Sequence, residues 1–308
     1  MWSRLAGFTM RQLAEPIAER ALVRLLLMRG TIHLVSARDA HLLRPLVQPV
    51  LDRGSASVAT LPAELRPQIL TAAAEHLRHT AATAVELAAV LAPRFPGVDP
   101  MAMATAARAS LPLVQVTPRG LWGRTGPAAH LHLHSWAGEG TGEKLTVDGL
   151  VRRYLGAFGP ATAADAQAWS GLTGLREVFE RLDLWSAEVH GRVLYDLPDA
   201  PRPGPDEPAP ARLLTDFDNL LLSHADRTRV IADDHRRVVI TKNGIVHPTV
   251  LVDGRVAGTW RVERARGSAA VVVTPFGPLA KADREALAGE GLALLAATEP
   301  DKAHDVRV

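Results

Sequence analysis

Three groupings of side chains could do chemistry. In TPRGLWGRTG, Arg119 and Arg124 flank Trp122. Two guanidiniums beside an exposed aromatic suit DNA, because arginine contacts phosphate or enters the minor groove while tryptophan wedges or stacks. The alternative is that Trp122 folds back onto its own domain and leaves the arginines solvated. In HLHLH, His130, His132 and His134 share one face if the segment is a strand. Three imidazoles on one face could hold zinc. Neighbours on a single strand make a poor tetrahedral set without a carboxylate from elsewhere, and no H-E-x-x-H helix accompanies them. No metal ligand is assigned, and an exposed or DNA-facing edge with His132 as a contact is expected instead. In SHADRTRV, Asp226 beside Arg227 and Arg229 reads as a local cap or ion pair, with phosphate contact by either arginine as the alternative.

A fourth stretch, LLLMRGTIHLVSARD, places Arg29, Gly30 and His33 inside an apolar run. Two strands joined by a tight turn explain it: Gly30 supplies the positive φ and Arg29 sits at the edge. Alternation then puts His33 on the face opposite Ile32 and Leu34. Neither Arg29 nor His33 alone indicates catalysis. No glycine-rich phosphate loop precedes a helix, and there is no G-x-S-x-G elbow.

These residues need elements to position them. The chain has 308 residues, enough for two or three modules, with 47% apolar residues to build cores. It contains no cysteine, which removes disulfides, thiol nucleophiles and cysteine metal sites and fits a cytoplasmic protein. No apolar run is long enough for a membrane span, and the N-terminus lacks the apolar core of a signal peptide. The net charge is +2, but seven acidic residues and only two arginines lie between Asp196 and Asp226, so the rest carries the positive surplus. Lysine occurs only at 144, 242, 281 and 302. Arginine in lysine's place suits phosphate and base contacts; a GC-rich genome produces the same bias.

Thr9 can open a helix that Pro16 interrupts. Residues 63–80 read as a helix, Thr83 can cap AVELAAVLAPRF, and Pro100 to Ser110 makes a third. LPLVQVTPRGLWGRTGPAAHLHLHSW then alternates on both sides of a basic loop. Three helices followed by a hairpin describe a winged helix. The order recurs: TVDGLVRRYLGAFG is amphipathic, Gly159-Pro160 stops it, Thr162 and Asp165 form a capping box that opens TAADAQAWSG, GLREVFERL follows, and LWSAEVHGRVLYDL alternates about His190-Gly191. The first segment, a helix and a hairpin, looks like the second half of a unit whose opening helices are missing from the chain. PDAPRPGPDEPAPAR is a linker. Beyond it, RLLTDFDNLLLSH reads as a helix, RRVVITKNGIVHPTVLVDGRVAGTWRVER as strands with turns at Asn243-Gly244 and Asp253-Gly254, SAAVVVTPF as a strand, and KADREALAGEGLALLAA as a closing helix.

The expected fold is therefore α+β: tandem winged-helix (helix-turn-helix plus β-hairpin) units with a β-rich C-terminal domain. A partial first unit spans 1–55, a second 56–140, a third 141–200, a Pro-rich acidic linker 201–211, and the C-terminal domain with its closing helix 212–308.

Trp2-Ser3-Arg4-Leu5, LMRGTIHLV, QVTPRGLWGR, RYLGAFGPATAADAQAWSGL, FDNLLLSHADRTRV and VLVDGRVAGTWR, taken in order along nearly the whole chain, resemble the bacterial winged helix DNA-binding domain family. That family includes the AlkZ-like glycosylases that unhook azinomycin-type interstrand crosslinks. The resemblance implies tandem winged helices forming a concave basic surface for double-stranded DNA. Its glycosylase members carry a Gln-apolar-Gln or Gln-apolar-Asp motif, upstream of the segment matching Trp2-Ser3-Arg4-Leu5, which orients the attacking water. Here Gln12, Gln48, Gln68, Gln115 and Gln167 are isolated, and no catalytic residue is carried over. The implied function is duplex DNA binding related to repair, by N-glycosidic removal of bulky alkylated or crosslinked purines. The alternative is a non-enzymatic winged-helix transcriptional regulator. The expected DNA contacts are Arg29, His33, Arg119, Trp122, Arg124, His132, Arg227, Arg229 and Arg261. The expected protein is a monomer without cofactor or metal, in the cytoplasm at the nucleoid.

Overall fold

The structure is a computed structural model that describes residues 1–204 and 206–308. The chain forms two compact units. One comprises residues 11–153 and 169–182; the other comprises 1–10, 154–168 and 183–308.

The first unit opens with α1 (Met10–Ala18), which carries Pro16 in its last turn. Strands β1 (Leu22–Leu26) and β2 (Ile32–Ser36) follow as an antiparallel hairpin with Leu25 opposite His33. The turn between them holds two residues in the left-handed region, Arg29 (φ 56°) and Gly30 (φ 68°). Ser36 accepts from the Asp39 amide and so caps α2 (Ala37–Gly54). Helices α3 (Ala56–Thr60), α4 (Arg66–His79), α5 (Ala84–Leu91) and α6 (Pro100–Ser110) come next. Thr83 and Glu86 form a reciprocal capping box on α5. Ile69, Leu77, Leu91 and Met103 make the apolar centre of this helical group. Strands β3 (Leu113–Gln115) and β4 (His130–His132) pair antiparallel, and β3 also pairs with β1, giving one four-stranded sheet in the order β2-β1-β3-β4.

The HLHLH segment does not stay extended. His130 and His132 lie on β4, but Leu133–Ala137 turns into a short helix, α7, which carries His134. The three imidazoles therefore do not stand on one strand face, and the premise of the zinc reading fails.

The chain passes between the units within α8 (Val147–Phe158) and α9 (Ala163–Ser170). Thr162 and Asp165 bond reciprocally at the start of α9, each holding the other's amide. Helix α10 (Leu175–Arg181) belongs to the first unit.

In the second unit, β5 (Trp185–Val189) and β6 (Arg192–Asp196) form a hairpin whose turn, His190-Gly191, has both φ angles positive. A five-stranded sheet follows in the order β11-β10-β9-β8-β7. It is built from β7 (Arg212–Leu214), β8 (Thr249–Val252), β9 (Arg255–Ala265), β10 (Ser268–Pro275) and β11 (Ala303–Arg307). Helix α12 (Lys281–Thr298) connects β10 to β11, which pair in parallel. Val250, Val271, Leu287 and Leu295 fill the space between sheet and helix.

Three expectations are corrected here. The stretch RLLTDFDNLLLSH is not a helix: Arg212–Leu214 is a strand paired with β8, Phe217 takes φ 53°, and only a 3-10 turn at Asn219–Leu221 follows. Sheet pairing overrides the helical spacing of its leucines. The opening RRVV of RRVVITKNGIV is not a strand but the end of a helix, α11 (Asp233–Val239), with Val239 turned into a second apolar cluster. The chain also does not close on a helix, because β11 follows α12. Among the described residues no helix is long and apolar enough to cross a membrane.

Candidate nucleic-acid interface

The loop between β3 and β4 is tightly built at its base. The Val116 amide donates to Ala129, and the Arg119 Nη1 donates to the Gly126 carbonyl at 3.0 Å. Gly120 (φ 92°) lies so close to the Arg24 side chain that a Cβ would meet Cδ at 2.9 Å. The positive φ favours glycine, and any Cβ here would have to displace the Arg24 side chain. Beyond this base Trp122 stands 53% exposed. Of the two dispositions the sequence allowed, the structure has the exposed one. Arg124 is exposed beside it; its amide donates to the Leu121 carbonyl, and its guanidinium has no ion-pair partner among the described residues.

Below the loop a polar row crosses the sheet. Arg24, Gln115 and His130 are register partners on neighbouring strands and therefore share a face. Burial and the Arg119 charge lower the Arg24 pKa. Gln115 Oε1 and His130 Nε2 are buried without a hydrogen-bond partner. His130 is held neutral, its pKa pushed down to about 4 by burial first and then by the Arg108 charge. Of this row only His130 was expected at an exposed or DNA-facing edge, and the structure buries it, 7% exposed, because β3 and the Ala82 bridge cover β4. For Arg24 the signal was present in the strand V-R-L, where a charge alternates with buried Val23 and Leu25.

A second cluster lies in the same unit. A cleft of about 530 Å³ is lined by Arg78 and His79 from the end of α4, His132 from β4, His134 and Ser135 from α7, and Glu139. His134 sits against His132 at 5.4 Å and against His41 of α2 at 4.9 Å between ring centroids. The His134 Nδ1 pairs with Glu139 at 2.8 Å. His41 Nε2 and His132 Nδ1 are buried and unpartnered. Among the described residues no three histidine or carboxylate groups are disposed to hold a metal ion.

The remaining sequence candidates have protein partners. Arg29 donates to the Trp169 carbonyl. His33 faces Leu25 and bonds the Thr31 carbonyl at 3.0 Å, and burial lowers its pKa. In the second unit the Arg227 Nε donates to the His224 carbonyl, and Arg229 donates to Pro160 O at 3.0 Å and reaches His224 Nε2. Asp226 takes the Thr228 amide and hydroxyl and pairs with Arg192. Arg192, Asp226, Thr228 and Arg229 line, with Asp165 and His190, a cleft of about 270 Å³. Arg261 is exposed on β9 and paired with Glu263.

The family model described as DNA glycosylase AlkZ-like matches residues 1–297. The chain belongs to the AlkZ-like DNA glycosylase family. A curated relative, the interstrand DNA cross-link repair glycosylase of Streptomyces sahachiroi, is 34% identical over 137 residues. That alignment spans 41% of this chain and 36% of the relative's length. The solved structure of the Streptomyces sahachiroi DNA glycosylase AlkZ superposes with a TM-score of 0.76 at 22% identity, covering 97% of this chain and 85% of that one. This chain shares that fold, mixed α and β with mainly antiparallel pairing.

Proposed function

We propose that this chain binds duplex DNA and acts in repair, releasing bulky alkylated or crosslinked purines by cleavage of the N-glycosidic bond. Family membership supports the reaction class. The observation that carries the DNA reading is the β3–β4 loop, which presents exposed Trp122 between Arg119 and Arg124 on a base tied down by Gly126 and packed against Arg24. Guanidiniums grip backbone phosphate, while an aromatic at the tip unstacks or wedges a base step. An alkylated purine that carries positive charge is already a good leaving group. Hydrolysis then needs a positioned water and a nearby charge to support the oxocarbenium-like sugar. We read the β3–β4 and β5–β6 hairpins as wings of tandem winged-helix units, and the protein as a cofactor-free monomer of the cytoplasm, at the nucleoid.

The test is incubation with duplex carrying a cationic N-alkylated purine or an interstrand crosslink, scored for abasic sites. Abasic sites formed in proportion to enzyme are the expected result. Tight duplex binding with no base release after prolonged incubation overturns the glycosylase reading and leaves a binding protein.

A further inference from the structure

The cleft at His132 and His134 plays no part in the loop's reading, and its composition is unusual. Arg78, His79, His132 and His134 converge on it from three elements, with His41 behind them. One carboxylate, Glu139, enters it, its side chain 86% exposed. Arg78 is exposed and has no ion-pair partner among the described residues. A cluster of imidazoles invites a divalent cation, but here a fixed guanidinium opposes one and the donors do not converge on a common point. Cationic and protonatable donors around an open cleft fit an anion instead.

We propose that this cleft is a phosphate site that grips a backbone phosphodiester of DNA, with Arg78 as the permanent charge and the His132 and His134 rings as further donors. The proposal rests on the DNA reading above and deepens it. Several features support it. Buried His132 Nδ1 and His41 Nε2 are unpartnered. Burial lowers the pKa of His132, and the neighbouring His134 and Arg78 charges lower it further; the same desolvation and His134 lower that of His41. The cleft thus places His132 and His41 where their charged forms are disfavoured, beside the Arg78 guanidinium. A phosphodiester, anionic at every pH of interest, reverses the sign of the local field and favours protonation. Occupancy and proton uptake are then linked, and affinity rises as pH falls. The groups facing the imidazoles are Arg78 and His79 from α4, His41 from α2, and Glu139. Glu139 competes with the phosphate for His134, so its removal strengthens binding.

The experiment measures duplex affinity by fluorescence anisotropy from pH 8 to pH 5.5 at fixed ionic strength, for the intact chain and for Arg78→Gln, His132→Gln and Glu139→Gln. The expected result for the intact chain is a rise of roughly three- to tenfold toward low pH. His132→Gln flattens that rise. Arg78→Gln lowers affinity at every pH and reduces the salt slope by about 1. Glu139→Gln raises affinity severalfold, which a merely structural role would not produce. A second arm follows the histidine ring signals by NMR while inorganic phosphate is added at pH 6.5; His132 and His134 are expected to move and Arg78→Gln to suppress the movement. If the three variants keep the parent's pH and salt dependence, or phosphate leaves both rings unmoved, the site is overturned. Phosphate binding at these rings with no duplex binding at any pH overturns the DNA reading and, with it, the diester assignment. Duplex binding without either signature overturns only the site.

Discussion

Arg4 grips Asp218 with both prongs of its guanidinium: Nη1 and Nη2 each donate to a different carboxylate oxygen at 2.7 Å. The Asp218 side chain is only 3% exposed, whereas that of Arg4 remains half in water. Asp218 also takes the Leu220 amide at 2.9 Å. The pair ties the N-terminal segment to the 3-10 turn beside β7, within one unit. Replacing Arg4 by alanine leaves a buried carboxylate with one remaining donor. Arg4→Ala should therefore lower stability by about 1–3 kcal/mol, read as a drop in the urea midpoint without a change in m.

Arg44 makes a different kind of buried anchor. It is 4% exposed, donates to the carbonyls of Ala109 and Leu111 at 2.7 and 3.1 Å, and reaches Gln48. Its bonds satisfy the carbonyls at the end of α6, and burial pulls its pKa down to about 10. Arg44→Ala strips the Ala109 carbonyl of this donor, leaves Leu111 with the Leu113 amide alone, and opens a cavity. A loss of about 2–4 kcal/mol in thermal or chemical denaturation is expected. Lysine should not restore it, because one ammonium cannot span two carbonyls and an amide.

His130 gives the fold a defined acid sensitivity. Its folded pKa is about 4, depressed by burial and by Arg108, against about 6.5 in the unfolded chain. Between those values the unfolded state binds more protons, so stability is complete above pH 6.5 and declines as pH falls toward 4. The decline from this group approaches roughly 3 kcal/mol. Urea midpoints at pH 7.5, 5.5 and 4.5 measure it, and His130→Gln should flatten that part of the profile while lowering the plateau.

The loop separates binding from folding. Trp122 and Arg124 are exposed, and neither is tied into a core. Trp122→Ala and Arg124→Ala should each leave stability within about 0.5 kcal/mol of the parent. Arg124→Ala should lower the salt slope of duplex binding by about 1, the loss expected for one phosphate contact. Trp122→Ala should weaken binding with little change in that slope, since a wedge acts on base stacking rather than on counterions. Equal salt-slope losses in both variants contradict these roles.

Local chemistry was legible wherever one residue decides the conformation. Thr83 at the head of α5, Thr162 with Asp165, Pro100 at the head of α6, and the His190-Gly191 and Asp253-Gly254 turns all formed as their types dictate. What pairing decides was not legible. Leu213, Leu214 and Leu220–Leu222 are spaced like a helix, yet Leu213 and Leu214 belong to β7 because β8 offers a partner. Val238 and Val239 favour strand by type, but they end α11 because only Val239 is needed in the core. The histidine cleft was legible only in part. His130, His132 and His134 drew attention as a strand face, while the break into α7 carries His134 toward His41, a partner far away in sequence. The row Arg24, Gln115 and His130 needs the β1–β3 pairing, which no local pattern reveals.

Duplex affinity measured across salt, from 50 to 200 mM, tests the central claim most directly. With arginines at the loop and cleft gripping phosphates, log affinity should fall linearly with log salt at a slope of several, and the slope should shrink in Arg119→Ala and Arg124→Ala. An affinity that is the same at both ends of that range, or no affinity for duplex at all, contradicts the account.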